Sequence, residues 1–165
     1  MSAIADNATI TIGMADFAAS DASGKTNVIG DGVAVLGFVP DQGLTNRFAL
    51  TVKVRLPIGF AGAEFPLEVA LLDEAGQLAQ LPGPAGIQPF RVAQVVQANS
   101  SREVYGQRIV DHVGVSVQAV FDFATGMPLP VSSLLTWRVQ VDGDETRQWT
   151  YPFAVTGPLP GPVFG

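Results

Sequence analysis

The stretch TWRVQVDGDETRQWTYPFAV, residues 136–155, decides the fold. In its first half, apolar side chains occupy every second position from Trp137 to Val141, with polar residues between them. Successive side chains of a β-strand point to opposite faces, so this period of two indicates a strand with one buried face. The Asp142-Gly143 pair that follows favours a type I′ turn, which needs a positive φ at both central positions. The stretch therefore predicts a β-hairpin.

The second arm of this hairpin, Trp149 to Val155, keeps the alternation but contains a proline at position 152. Proline has no N–H to donate to a neighbouring strand, so it is confined to sheet edges and bulges. We therefore expect this arm to lie at a sheet edge near Pro152, or to be bulged there.

Working outward, the same alternation marks further strands, and residues 93–98 are also interpreted as strand. Seven or more strands, with no sustained helical period, predict an all-β chain folded as a single antiparallel β-sandwich of the Ig-like or Greek key type. We expect this domain to span residues 1–155. The apolar stripes that support it are Phe48, Leu50, Val52, Val54 and Leu56; Leu67, Val69 and Leu71; and Val113, Val115, Val117, Ala119, Phe121 and Phe123.

Turns and irregular segments separate the stripes. Asp73 to Gly76 suits a type I turn closed by a left-handed glycine. Residues 81–89 hold three prolines and two glycines and are predicted to form a loop, which could cross from one sheet to the other.

The last ten residues, 156–165, form a Pro/Gly-rich extended arm in this prediction. As polyproline II the arm would reach about 30 Å. We expect it to anchor in a neighbouring subunit, with the alternative that it lies on its own domain. Its candidate partner-binding residues are Pro158, Leu159, Pro160, Pro162, Val163 and Phe164.

Composition excludes several function classes. The chain has 165 residues, 47% of them apolar and 15% charged, so it can fill a core of its own. Its net charge is −6 and its nine basic residues are scattered, so we expect no nucleic-acid partner. With no cysteine, it has no disulfide and no thiolate metal site. No apolar run spans a bilayer and the first residues lack signal-peptide features, so we expect a soluble protein with no export signal and no membrane partner.

Two glycine motifs between residues 20 and 32, SDASGKTNVIGDG, resemble nucleotide-binding fingerprints. A phosphate-binding loop needs a glycine where Ala19 stands, and a dinucleotide fingerprint needs one at Val35. Neither motif opens a helix, whose N-terminal amides would hold the phosphate. We predict instead a turn over residues 20–25 with a positive φ at Gly24, joining strands at 7–19 and 26–39.

Catalytic and metal sites are not predicted, and neither is a cofactor. His112 is the single histidine, and we expect it to be solvated on a strand. No nucleophile elbow occurs, although a triad assembled only in space stays an alternative. The acidic cluster of Asp142, Asp144 and Glu145 matches no calcium loop and is expected to face water.

The large aromatic side chains Trp137, Trp149 and Tyr151 share their stripes with valines. We therefore expect them in the core. If they lay on an exposed sheet face, they would instead form a platform for a sugar or a protein partner.

Five short motifs of the chain carry a family resemblance: ADF at 15–17, GKTNVIG at 24–30, TWRVQVDG at 136–143, YPFAV at 151–155 and GPLPGPVFG at 157–165. In this order they resemble a family of small uncharacterised β-sandwich proteins of bacteria and actinobacterial phages. This resemblance implies a non-enzymatic structural protein of a virion, either a capsid decoration protein or a minor capsid protein. The implied partners are the major capsid protein, other virion subunits and further copies of the chain, within a particle assembled in the host cytoplasm. The alternative is a carbohydrate- or small-ligand-binding β-sandwich module.

Overall fold

The structure is a computed structural model that describes residues 2–22, 24–98 and 113–157. The chain is all-β, as the alternation predicts. A five-residue helix, α1 (Ala3–Asn7), precedes the first strand, and a 3₁₀ turn spans Ile58–Phe60. The strands are β1 (Thr9–Ser20), β2 (Thr26–Asp31), β3 (Val35–Val39), β4 (Leu44–Thr45), β5 (Phe48–Leu56), β6 (Glu64–Leu72), β7 (Gln80–Gly83), β8 (Gly86–Pro89), β9 (Arg91–Gln97), β10 (Val115–Phe123), β11 (Ser133–Val141) and β12 (Trp149–Thr156).

The strands form two large sheets and one small one. The four-stranded sheet has the order β10-β5-β1-β2, the six-stranded sheet has the order β4-β3-β12-β11-β6-β9, and β7 pairs with β8. Neighbours pair antiparallel except β3 and β12, which are parallel through the Ala154–Val35 register. This pair departs from the fully antiparallel arrangement that we expected. The Ig-like or Greek key connectivity is a finer statement and stays a prediction.

The inner faces of the two large sheets share one hydrophobic cluster. Trp137 of β11 is fully buried at its centre. Its ring lies 5.6 Å from that of Phe123 on β10 and 6.4 Å from that of Phe48 on β5, centroid to centroid, so it joins the two sheets. The core role expected for Trp137 is confirmed, while Trp149 and Tyr151 pack against the same cluster half-buried.

The predicted hairpin of β11 and β12 is confirmed, with Trp137 paired to Tyr151. Asp142 and Gly143 have φ values of 54° and 66°, as a type I′ turn requires. The strand pairing resumes only at Trp149, so the connection is longer than a two-residue turn. Pro152 lies where β12 has β11 on one side, since the pairing to β3 starts at Ala154. The edge position expected for Pro152 is therefore confirmed.

The second strand predicted at 26–39 is wrong as a single element. It is divided into β2 and β3, which belong to different sheets. The break begins at Gly32, whose φ of 90° turns the chain out of the extended conformation, and Gly30 within β2 already has a φ of 68°. The glycines that resemble a dinucleotide fingerprint thus carry the crossover between the sheets. The turn before β2 forms as predicted, with a φ of 77° at Gly24.

Two further expectations need correction. The segment 81–89 is a small hairpin rather than a loop: Pro84 lies in its turn, and Pro82, opposite Ile87, and Pro89, opposite Gln80, lie in a two-stranded sheet, where each strand is an edge strand and proline is tolerated. Val113 does not join the buried stripe of β10: the positive φ at Gly114 ends the alternation, and Val113 is 76% exposed. The type I turn closed by Gly76 is confirmed, with a φ of 75°.

Candidate functional site

The partner-binding residues predicted in the arm, Pro158 through Phe164, lie outside the described residues. His112 also lies outside them, so its expected solvation stays a prediction. The structure does show where the arm starts. Thr156 pairs with Gly37 as the last residue of β12, so the sheet includes one residue that we had assigned to the arm. Gly157 follows, with its Cα against the side chain of Val131.

An apolar row lies beside this exit point on the outer face of the six-stranded sheet. It consists of Val35 on β3, Ala154 on β12 and Leu134 on β11, which occupy register positions next to one another across three strands. Val35 is 55% exposed and Leu134 is 52% exposed. We call these three residues the apolar row. Because its side chains are adjacent and partly exposed, the apolar row is a candidate contact surface.

A second apolar surface lies at the β9 edge of the same sheet. Val95 is 72% exposed, and Val92 is also exposed. Within the described residues β9 pairs with β6 alone.

The outer face of the four-stranded sheet holds a shallow depression lined by both polar and apolar residues. Thr11, Lys53 and Gln118 form one row of its floor across β1, β5 and β10. Gly13 adds no side chain, which leaves room beside the Asp31 carboxylate. The hydroxyl of Thr26 is buried at its border with no hydrogen-bond partner within the described residues. Carboxylate, ammonium, amide and hydroxyl groups could together bind a small polar ligand.

The acidic hairpin tip is structural. Asp144 is buried, against the expectation that the cluster faces water. Its carboxylate accepts hydrogen bonds from the Thr146 hydroxyl at 2.6 Å, the Thr146 and Arg147 amides at 2.8 and 3.1 Å, and the Ser2 amide at 3.0 Å. These donors, above all the Thr146 hydroxyl, hold the pKa of Asp144 well below its usual range.

Asp142 completes this contact, because its carboxylate accepts a 2.5 Å hydrogen bond from the Ser2 hydroxyl. The Ser2 hydroxyl also caps α1 by accepting from the amides of Ile4 and Ala5. Asp142 and Asp144 therefore fasten α1 to the β11–β12 loop, while Glu145 is exposed as expected. No group of three or more potential metal ligands occurs within residues 2–22, 24–98 and 113–157.

Sequence reasoning did not single out the apolar row or the β9 edge. A signal was present: Leu134-Leu135 and Val95-Val96 are consecutive apolar pairs inside strands. Because side chains alternate between faces, one member of each pair must point outward unless both faces are covered. The outward members are Leu134 and Val95.

Comparisons with known proteins add little to this geometry. No family model matches the chain, and no curated protein does. Among solved structures, the chain is similar to a crystal structure of a Bordetella pertussis protein provisionally named ApaA. The two are 14% identical, the match covers 90% of this chain and 89% of that one, and the TM-score is 0.34. In the part of the chain that the structure describes, no helix is long and apolar enough to cross a membrane.

Proposed function

We propose that this protein is a non-enzymatic structural protein of a virion, a decoration or minor capsid protein, that acts through surface contacts. The proposal keeps the role implied by the family resemblance. The observation that carries it is the exposed apolar row beside the exit of the arm. In this proposal the row receives the arm of a neighbouring subunit.

The chemistry of the two surfaces supports this contact. The arm residues 158–165 contain three prolines and no charged side chain. Extended proline-rich segments bind apolar surfaces at low entropic cost, because much of their conformation is fixed beforehand. On a particle, many weak contacts of this kind add up through repetition.

Deleting residues 157–165 tests the role of the arm. The deletion leaves the pairing of Thr156 with Gly37 intact, so the circular dichroism spectrum and the unfolding midpoint should change little. Co-sedimentation with purified particles of the source should be lost. A truncated protein that still co-sediments normally would contradict the arm contact. Absence of the protein from the mass spectrum of those particles would contradict the virion role itself.

The receiving surface is tested by Leu134→Lys, with Thr150→Lys on the same face of the sheet as the matched control. Both positions are exposed, so neither variant should unfold the protein. Leu134→Lys should weaken particle binding by roughly tenfold, as loss of a central apolar contact does, while Thr150→Lys should not. Equal effects of the two lysines would contradict the assignment of the apolar row.

The depression on the four-stranded sheet favours a second candidate function, a carbohydrate- or small-ligand-binding module. The buried, unpartnered hydroxyl of Thr26 is its specific support, since such a group normally finds a partner. Isothermal titration with a panel of mono- and oligosaccharides tests it. Binding that is lost in Lys53→Ala would support this module, and no heat with any member of the panel would count against it.

A further inference from the structure

The depression on the four-stranded sheet is lined by two side chains of opposite charge, Asp31 at the end of β2 and Lys53 on β5. Within residues 2–22, 24–98 and 113–157 they form no ion pair with each other, and neither pairs with another charged side chain. The walls of the depression therefore offer one negative and one positive charge to a ligand.

The space beside Asp31 exists because β1 has a glycine at position 13. A methyl group on Gly13 would stand 3.0 Å from Oδ1 of Asp31 and 3.0 Å from Oγ1 of Thr51. The carboxylate and the hydroxyl therefore face one gap above the backbone of Gly13. The Thr51 hydroxyl donates to the Gly13 carbonyl over 3.3 Å, so its lone pairs are left to accept. Two accepting oxygens, one of them charged, suit an ammonium group.

Lys53 supplies the opposite charge further along the same face. It lies two residues from Thr51 on β5, so about 7 Å separates their Cα atoms. Its register partners Thr11 and Gln118 are both neutral, and Lys53 itself is half-buried. An ammonium group that is partly withdrawn from water among neutral neighbours favours an anion as its partner. The buried, unpartnered Thr26 hydroxyl is a further donor for that anion.

Size and charge together select the class of ligand. The depression has a volume of about 200 Å³, which is below the roughly 300–1,000 Å³ of pockets that bind drug-sized molecules. A neutral sugar would cover both charges without compensating either, which costs free energy. A simple anion would leave Asp31 unpaired and would approach a chain of net charge −6. A small zwitterion compensates both charges and adds none.

We propose that the depression binds a small zwitterion of the amino-acid class, with its ammonium group between Asp31 and Thr51 and its carboxylate against Lys53. In this arrangement Gly13 keeps the ammonium site open. The inference rests on the second candidate function, the small-ligand-binding module, and is independent of the virion role.

Nuclear magnetic resonance titration of the full chain tests the ligand class. The twenty common L-amino acids are tried first, and the tightest is then compared with its two analogues that lack the amino group or the carboxylate. The amino acid should bind at least roughly tenfold more tightly than either analogue, because each analogue leaves one charge of the site without a partner. Glucose, the neutral probe, should bind no more tightly than the analogues.

Charge-removing variants locate the site. Asp31→Asn and Lys53→Gln should each weaken binding of the amino acid by roughly tenfold. One matched control is Asp16→Asn, an exposed position on the opposite face of the β1–β2 pair, and the other is Arg55→Gln, further along the same face of β5. Both controls should bind normally, and circular dichroism confirms that each variant is folded.

Gly13→Ala fills the gap itself. The φ of Gly13 is not positive, so alanine is compatible with the backbone, and its methyl group takes the space of the ammonium group. Binding should fall by at least roughly tenfold. The control is Gly59→Ala, whose methyl group meets no described atom within 4 Å and which should bind normally.

The outcomes separate this inference from the module on which it rests. If glucose binds and Asp31→Asn does not weaken its binding, the module stands and the zwitterion is wrong. Equal affinity for the amino acid and either analogue would also overturn the zwitterion, since one charge would then suffice. If neither these probes nor the saccharide panel shifts the amides of residues 11–13, 26–31 and 51–53, the inference and the module both fail.

Discussion

The outer faces of the two large sheets differ in chemistry although both cover the same core. Across β1, β5 and β10 the outer face of the four-stranded sheet carries Thr11, Lys53 and Gln118 in one register row. The six-stranded sheet exposes the apolar row and the valines of β9. Burial of apolar surface lowers the free energy of the system, whereas burial of a row of hydroxyl, ammonium and amide groups does not unless they find new partners. The difference supports our proposal that other subunits contact the six-stranded sheet.

The largest effect on stability should come from removing the side chain of Trp137, which packs between the two sheets. Trp137→Ala deletes the ring that packs against Phe48 and Phe123 from the opposite sheet. We expect a loss of about 3–5 kcal/mol in the free energy of unfolding, measured by urea denaturation. Trp137→Phe keeps an aromatic ring and removes the indole N–H that has no partner among the described residues, so its cost should be clearly smaller. Equal costs would mean that packing at Trp137 does not join the sheets.

Acid should weaken the tie between the β11–β12 loop of the six-stranded sheet and α1, which leads into β1 of the other sheet. The folded-state pKa of Asp144 is lowered by its hydrogen-bond donors. Its contribution is therefore present above the unfolded pKa, about 4, and is lost as the pH falls through the folded value.

The matched variant is Asp144→Asn, followed by urea denaturation across the pH range. Asp144→Asn should be less stable than the unsubstituted protein at pH 7, and the gap should narrow as the pH falls below about 4. A gap that stays constant down to pH 2 would show that the carboxylate charge at Asp144 is not what fastens the loop.

A reciprocal exchange of side chains sharpens the comparison of the two outer faces. Val35→Thr keeps the β-branched shape but removes apolar surface from the apolar row, and should weaken particle binding by roughly threefold. Thr11→Val makes the opposite change on the four-stranded sheet and should leave particle binding unchanged. Co-sedimentation with purified particles measures both. Stronger binding of Thr11→Val would show that the outer face of the four-stranded sheet also takes part.

The smallest effect should come from a substitution on the outer face of the four-stranded sheet. Arg47 lies over the ring of Phe17, 5.1 Å from its centroid, and pairs with Asp122 at 3.3 Å. Both members of the ion pair are well exposed to water. Arg47→Ala should therefore cost about 0.5–1 kcal/mol in unfolding free energy and nothing in association. A loss of several kcal/mol would contradict the view that this face is a solvated surface.

The strands could be predicted from the sequence because alternation is a local property. The stripe that begins at Phe48 and the hairpin around Asp142-Gly143 each contain their own evidence. The division of the predicted strand 26–39 into β2 and β3 was missed, since a glycine such as Gly32 permits a positive φ without requiring it. Pairing order is a long-range property, so neither the parallel β3–β12 pair nor the apolar row that it creates could be predicted locally.

The β9 edge was missed for the same reason. The pattern RVAQVVQ reads as a strand, but whether Val95 is covered depends on which strand lies beside it. Both β5 and β9 are recognisable as strands from their sequences. Among the described residues β5 has two neighbours and β9 has one, and this difference follows from pairing order.

Hydrogen exchange of the backbone amides, compared between the free and the particle-bound protein, tests the central claim most directly. If subunits meet through the six-stranded sheet, amides around Val35, Leu134 and Ala154 should gain protection on binding, while those of β1, β5 and β10 should not change. Protection that instead appears in β10, or around Thr11, Lys53 and Gln118, with the apolar row unchanged, would contradict the account.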